Sequence, residues 1–305
     1  MAANFLSIND FTDAEIRKAL DAAEVYRRGI STGMPLAGRS VAMIFEKPSL
    51  RTKVSFDIAV YELGGHAIYL GRDEVGLDVR EPVEDVARVL ERWASAIVAR
   101  VFDHRVLERF AAAAAVPVVN ALSDLEHPCQ AMADLLTVRQ RLKRLEGVKV
   151  AYIGDANNCA LSLGLGCAGT GAHFSIASPA GYGFTEAAIE SIERRGQGNG
   201  VQVHTTVDPE AAVHGADVIY TDVWTSMGQE AESEKRLKAF QGYQVNEALL
   251  KQANQGAILL HPMPAHYGEE VSPGMLDHPQ SAAYDQAENR LHAQKAVLRM
   301  LVAGE

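Results

Sequence analysis

Cysteine is scarce in this chain of 305 residues: there are three, Cys129, Cys159 and Cys167, an odd number with no C-x-x-C pair among them. That count fits neither a disulfide framework nor a zinc site, and reduced thiols are expected. Cations are in deficit, with 29 Lys and Arg against 39 Asp and Glu and a net charge of −10. A balance of this sign repels polyanions unless basic residues are gathered in one place, which argues against nucleic acid as a partner. No run approaches the roughly 18 apolar residues of a membrane span, and the first residues lack a basic stretch ahead of an apolar one. A cytoplasmic protein without membrane contact is expected. What is present is a globular composition, 48% hydrophobic and 22% charged, and at roughly 150 residues per domain the length predicts two domains.

Thr12-Asp-Ala-Glu15 reads as a capping box ahead of a helix holding Ile16, Leu20, Ala23 and Tyr26. Short apolar runs at Val41–Phe45, Ala67–Leu70, Ala96–Val101 and Val116–Ala121 then alternate with helical periodicity at Ser49–Leu63, Val83–Trp93, Leu107–Ala115 and Pro128–Leu142. Beyond a polar, basic stretch from Arg139 to Lys149 a second alternation begins, with strands predicted at Val150–Ile153, Phe174–Ala177, Val201–Thr205, Val218–Thr221 and Ala257–His261. This is the α/β class: two lobes, each a mostly parallel sheet flanked by helices. The boundary is drawn at Gly147, giving lobes of 1–146 and 147–285, with a last helical pattern from Glu288 to Val302 whose periodicity does not decide which lobe it joins.

Five segments at predicted strand exits carry chemistry. In Phe45-Glu-Lys-Pro48-Ser49-Leu50-Arg51-Thr52-Lys53 a strand ends, Pro48 turns the chain and Ser49 stands as an N-cap. A helix start with hydroxyls and cations around it is a ready phosphate site; the plainer reading is a capped helix with solvated basic residues. His127-Pro128-Cys129-Gln130 places a His and a Gln one turn apart at a helix mouth. Tyr152-Ile-Gly154-Asp155-Ala-Asn157-Asn158 is a strand, a Gly turn and a helix, but the G-x-G-x-x-G spacing of a dinucleotide site is absent. Its asparagines suit the ammonium or carboxylate of an amino acid, although Asn is also a common turn residue. Asp222-Val-Trp-Thr-Ser226-Met227-Gly228 lies in a stretch, Gly200 to Glu234, with seven carboxylates and no Lys or Arg. Such an edge favours a cationic small molecule, whereas Ser49–Lys53 favours an anion. His261-Pro262-Met263-Pro264 ends a strand with two prolines, and the Met263–Pro264 bond is expected to be cis.

Together these motifs resemble the aspartate/ornithine transcarbamoylase family, on its ornithine-carbamoylating side, from about Phe45 to Lys295. The family's S-x-R-T-R motif is matched by Ser49–Lys53, its H-P-x-Q motif by His127–Gln130, its D-x-x-x-S-M-G motif by Asp222–Gly228, and its closing motif by Asp285–Arg290. The resemblance implies that Ser49, Leu50, Arg51, Thr52, Arg100, His127, Gln130, Met263 and Arg290 bind carbamoyl phosphate, with Arg51, Thr52, Arg100 and His127 catalytic and Lys53 in support. It implies ornithine ligands at Asn158, Asp222, Ser226 and Met227. It further implies transfer of a carbamoyl group to ornithine in arginine biosynthesis without metal or organic cofactor, and a homotrimer or multiple of one, in which the 70s–80s loop reaches a neighbour's site. The helix 286–305 is expected to pack back on the first lobe.

Three departures stand out. Lys53 replaces an arginine and loses its planar fork. Pro262 stands where ornithine enzymes usually carry cysteine, as in aspartate enzymes, and Leu70–Gly76 lacks the glutamine often found in the intersubunit loop. The competing readings are therefore another acceptor, aspartate or a modified ornithine, and a catalytically silent phosphate-binding paralogue.

Overall fold

The structure is a computed structural model and describes residues 4–30, 33–226 and 228–304. The chain forms two compact units, residues 1–133 with 289–305 and residues 134–288. Both divisions fall inside helices, Pro128–Leu142 and Ala283–Ala303, so the observed boundary precedes Gly147. The terminal helix begins earlier than its periodicity indicates because the Ser281 hydroxyl accepts from the Ala283 N–H at 3.3 Å and supplies the start.

The first unit holds β1 (Ser40–Phe45), β2 (His66–Gly71), β3 (Ala96–Arg100) and β4 (Val118–Leu122) in the order β2-β1-β3-β4, all parallel. Every residue of β3 is buried, and all of β1 after Ser40, as expected for central parallel strands covered on both faces. The helix Leu50–Glu62 links β1 to β2, His104–Ala113 links β3 to β4, and Pro128–Leu142 follows β4.

The second unit holds β5 (Lys149–Ile153), β6 (His173–Ala177), β7 (Val203–Thr206), β8 (Val218–Thr221) and β9 (Ile258–Leu260) in the parallel order β7-β6-β5-β8-β9. Its strands feed two cores. Ala151, Ile153, Ile219 and Leu259 pack with Trp224 and Phe240 on one face; Val150, Tyr152, Val218, Tyr220 and Leu260 pack with Phe174 on the other. Burying each large side chain is worth about 1.5–3 kcal/mol, which holds the strands in register.

In each sheet the chain order reverses between two neighbouring strands, β1 and β3 in the first unit and β5 and β8 in the second. Open parallel sheets bind ligands at the carboxyl ends of such pairs. Phe45 is aligned with Arg100, and Ile153 with Thr221, so the segments leaving those residues emerge side by side. Among the described residues no helix is long and apolar enough to cross a membrane.

Candidate active site

At the β1 exit, Ser49 caps the helix Leu50–Glu62: its hydroxyl oxygen accepts from the Thr52 N–H at 3.3 Å, and its O–H donates to Thr52 Oγ1 at 3.0 Å. Arg51 lies in the first turn, half-buried, and partial burial lowers its pKa from the ordinary arginine value. Thr52 is buried and accepts from Arg290 Nη2 at 2.6 Å, which brings the terminal helix to the first strand exit. Arg100 ends β3, buried, and its carbonyl accepts from the Glu46 N–H at 2.9 Å.

His127 and Gln130 are delivered by a turn locked from beneath. Glu126 accepts from Ser7 Oγ at 2.5 Å and from the Ile8 N–H at 3.1 Å, while its own carbonyl accepts from Asn120 Nδ2 at 3.3 Å. Buried there, His127 is held neutral: desolvation first, then the charges of Arg290 and Arg100, push its pKa well below the usual imidazole value. Cys129 packs rather than reacts; burial pushes its thiol up to about 12, and Sγ donates to the Asn120 carbonyl at 3.4 Å. The first unit thus brings Arg290 to the hydroxyls of Thr52 and Ser49 and sets Arg290 and Arg100 near a neutral His127, with Arg51 in the first turn of the helix that Ser49 caps and Gln130 in the first turn of the helix after His127. That is the donor set of a phosphate site.

Two residues of this motif point elsewhere. Leu50 is 75% exposed, and the contact that the resemblance implies for it is through its backbone. The Lys53 ammonium sits 3.5 Å from the centre of the Tyr69 ring, a cation–π contact. Lys47, which the sequence did not single out, is buried with its ammonium over Phe102, close to the β3 exit.

In the second unit Gly154 leaves β5 with φ of 143°, a conformation that favours glycine, and turns the chain into Asp155, Asn157 and Asn158. Asn157 caps the helix Asn158–Thr170. Asn158 is half-buried, and its Oδ1 accepts from the Cys159 N–H at 3.0 Å. At the β8 exit Asp222 is buried; one carboxylate oxygen accepts from Asn157 Nδ2 at 2.9 Å and the other from the Val223 N–H at 2.8 Å. Burial raises its pKa, while His261 and these two donors pull it down. Ser226 follows in a turn closed by its N–H donating to Gln229 Oε1 at 3.0 Å; Met227 lies outside the described residues.

At the β9 exit the Met263–Pro264 bond is cis. His261 is fully buried, its N–H donating to Gln286 Oε1 at 2.8 Å, with Glu270 Oε1 2.8 Å from Nε2 and the Met263 N–H donating to Nδ1 at 2.9 Å.

Gly200–Glu234 itself holds no arginine, but one stands close behind it. Arg236, just past the acidic stretch, is buried, and its Nη1 donates to Asp155 Oδ2 at 2.8 Å and to the Trp224 carbonyl at 2.9 Å. Its spacing of four from buried Phe240 on one helical face was the available signal. Glu270 gave no comparable signal, since its partner lies in a different turn.

Family models decide the affiliation. The carbamoyl-P binding domain of the aspartate/ornithine carbamoyltransferases matches residues 3–140, and their Asp/Orn binding domain matches residues 146–301. The chain belongs to the aspartate/ornithine carbamoyltransferase family. It is 50% identical to the ornithine carbamoyltransferase of Acidothermus cellulolyticus over 99% of this chain and 97% of the relative. It is 47% identical to the anabolic ornithine carbamoyltransferase of Pyrococcus furiosus over 99% of this chain and 96% of the relative. The solved structure of ornithine carbamoyltransferase from Pyrococcus furiosus superposes with a TM-score of 0.95 at 46% identity, covering 99% of this chain and 97% of that one.

Proposed function

We propose that this family member transfers the carbamoyl group of carbamoyl phosphate to the side-chain amine of L-ornithine, giving L-citrulline and phosphate in arginine biosynthesis. The observation that carries the reading is the charge of the two strand-exit clusters. Three arginines and a neutral imidazole gather in the first unit, and a buried carboxylate, Asp222, in the second. One suits a phosphate dianion and the other an ammonium.

In this reading Ser49, Arg51, Thr52, Gln130 and Arg290 hold the phosphate group, the Leu50 backbone lies against it, and Arg100 and His127 donate to the carbonyl oxygen. Neutral His127 donates one N–H and adds no charge of its own. The ornithine nitrogen, with a free pKa of about 10.4 like lysine, sheds a proton and attacks the carbonyl carbon. The C–N bond forms, the oxyanion is stabilised by the fixed donors, and the bond from that carbon to the bridging oxygen breaks with its electron pair leaving on phosphate, which takes the second proton of the attacking nitrogen, the first having gone to solvent. The Met263 carbonyl accepts from the carbamoyl NH2, and Asn158, Asp222, Ser226 and Met227 orient the acceptor.

Aspartate is disfavoured despite Pro262. Its second carboxylate would face Asp222, and Arg236 is already engaged by Asp155 at 2.8 Å.

The assembly proposed is a homotrimer or a multiple of one in the cytoplasm. Leu50, Val54, Ile58 and Tyr61 line one side of their helix with exposures of 75, 44, 39 and 78%, and Ile68 on edge strand β2 is exposed as well. An apolar stripe at helical spacing beside an open edge marks a protein interface. The 70s–80s loop, tethered through Asp78 and Glu84 to Arg109, presents Val79 with 92% exposure.

The test is product identification with 13C-labelled carbamoyl phosphate and a panel of amines. Labelled citrulline from ornithine is expected; label on no acceptor would favour the silent paralogue, and label on another amine would redirect the assignment.

A further inference from the structure

Asn157 faces two ways. Its Oδ1 accepts from the backbone N–H groups of Cys159 and Ala160, both at 3.0 Å, and from the Tyr152 hydroxyl at 3.1 Å. An amide whose oxygen is committed to a helix start must present its NH2 elsewhere, and here Nδ2 donates to Asp222 Oδ2 at 2.9 Å. Flipping the amide would set its oxygen against a carboxylate and its NH2 against N–H donors, a mismatch on both sides.

We infer that Asn157 is a positioning residue for the acceptor: the start of the helix Asn158–Thr170 locks its amide so that the NH2 fixes the Asp222 carboxylate for the incoming amine. The inference rests on the reading of Asp222 as an acceptor ligand. Around Asp222 stand His261 and Glu270, Asp155, Tyr152 and Tyr220. Burial and the charge of Glu270 oppose ionisation of Asp222, whereas His261, the Val223 N–H and Asn157 favour it.

Capping and positioning separate cleanly, because Asp and Ser cap helices about as well as Asn. Asn157→Ser keeps an acceptor for the helix N–H groups but is too short to reach Asp222. Asn157→Asp keeps the cap and sets a second carboxylate against Asp222, and like charges sharing a site raise the pKa of one of them. The experiment compares wild type, both variants and Asp222→Asn as full-length proteins. It measures KM for ornithine and for carbamoyl phosphate, the pH profile of kcat/KM for ornithine, and Tm. Expected for Asn157→Ser is an ornithine KM raised about ten- to a hundredfold, with carbamoyl-phosphate KM within about twofold and Tm near wild type. Expected for Asn157→Asp is an acidic limb moved to higher pH. Wild-type ornithine KM and an unmoved acidic limb in both variants would make Asn157 a cap only and overturn the inference, as would losses spread equally over both substrates with a lowered Tm. An Asp222→Asn enzyme with unchanged ornithine KM would instead refute the acceptor-ligand reading itself.

Discussion

Arg290 and Thr52 stand 238 positions apart in the sequence, and Nη2 of the one donates to Oγ1 of the other at 2.6 Å. The same Oγ1 accepts from the Ser49 hydroxyl at 3.0 Å. With both lone pairs engaged, the Thr52 O–H has to donate, and at a helix start surrounded by arginines the fitting acceptor is a phosphate oxygen. Thr52→Val, which keeps the shape and removes the hydroxyl, is expected to raise the carbamoyl-phosphate KM about ten- to a hundredfold while leaving the ornithine KM within about threefold. Initial-rate kinetics with either substrate varied will measure both.

Arg51→Ala and Arg100→Ala are expected to cost several kcal/mol, on the order of a thousandfold or more in kcat/KM, with unchanged far-UV circular dichroism. In the proposed mechanism each is a charge-assisted donor aimed at charge that develops in the transition state. Turnover within about tenfold of wild type in either variant would remove that residue from the anion site.

The Asp155–Arg236 pair is costly to break, although burial outweighs Arg236 and raises the Asp155 pKa. Both side chains are nearly buried, 8% exposed for Arg236 and 11% for Asp155, so Arg236→Met leaves a carboxylate without its partner. A loss of about 3–5 kcal/mol in urea unfolding is expected, with part of it recovered in the Arg236→Met, Asp155→Leu double variant. Equal losses in the single and double variants would show that Arg236 acts through packing alone.

Acidification should destabilise the fold through its histidines. Burial depresses His127 well below the ordinary value, and burial with the charges of Lys295 and Arg27 takes His292 to about 4. A histidine with a lowered native pKa binds fewer protons folded than unfolded, so stability is complete above about pH 6.5 and is lost as pH falls towards the native pKa. Tm is expected to drop between pH 7 and pH 4, and to drop less steeply in His292→Gln. An identical slope in the variant would exclude His292 as a source.

The exposed stripe of the helix Leu50–Glu62 gives a prediction on assembly. Ile58→Arg or Tyr61→Asp is expected to shift the light-scattering mass from three subunits or a multiple towards one. Activity should fall with it if the 70s–80s loop serves a neighbouring subunit. A wild-type variant mass would place the interface elsewhere.

The strand exits were legible because their signals are local. Buried parallel strands read as short apolar runs, and Ser49, Pro128 and Asn157 mark helix starts by residue type. The turn at Gly154 follows from its own residue in the same way, whereas the cis Met263–Pro264 bond does not, since His261–Pro262 offers the same X-Pro type and is not cis. Arg236, Glu270 and Lys47 were not legible, because their roles come from partners in other turns or strands: Asp155, His261 and Phe102. The charge count along Gly200–Glu234 stands, but it could not show that Arg236, two residues beyond it, folds back to pair with Asp155 and to approach Glu232 at 3.5 Å. The resemblance names Asn158, whereas the four partners of the Asn157 amide, Cys159, Ala160, Tyr152 and Asp222, were not legible, because the last lies 65 residues away.

In the proposed function the Asp222 carboxylate selects a cationic acceptor although Pro262 stands where ornithine enzymes usually carry cysteine. The most direct measurement is kcat/KM for ornithine and for aspartate in the wild type, Pro262→Cys and Asp222→Asn. Ornithine is expected to be far the better substrate of the wild type, with Pro262→Cys changing its KM only modestly. Asp222→Asn should lose on the order of 2–5 kcal/mol, about 30-fold or more, as expected when one partner of a buried charged hydrogen bond is removed. Faster carbamoylation of aspartate than of ornithine by the wild type, or an Asp222→Asn enzyme that carbamoylates ornithine normally, would contradict the account.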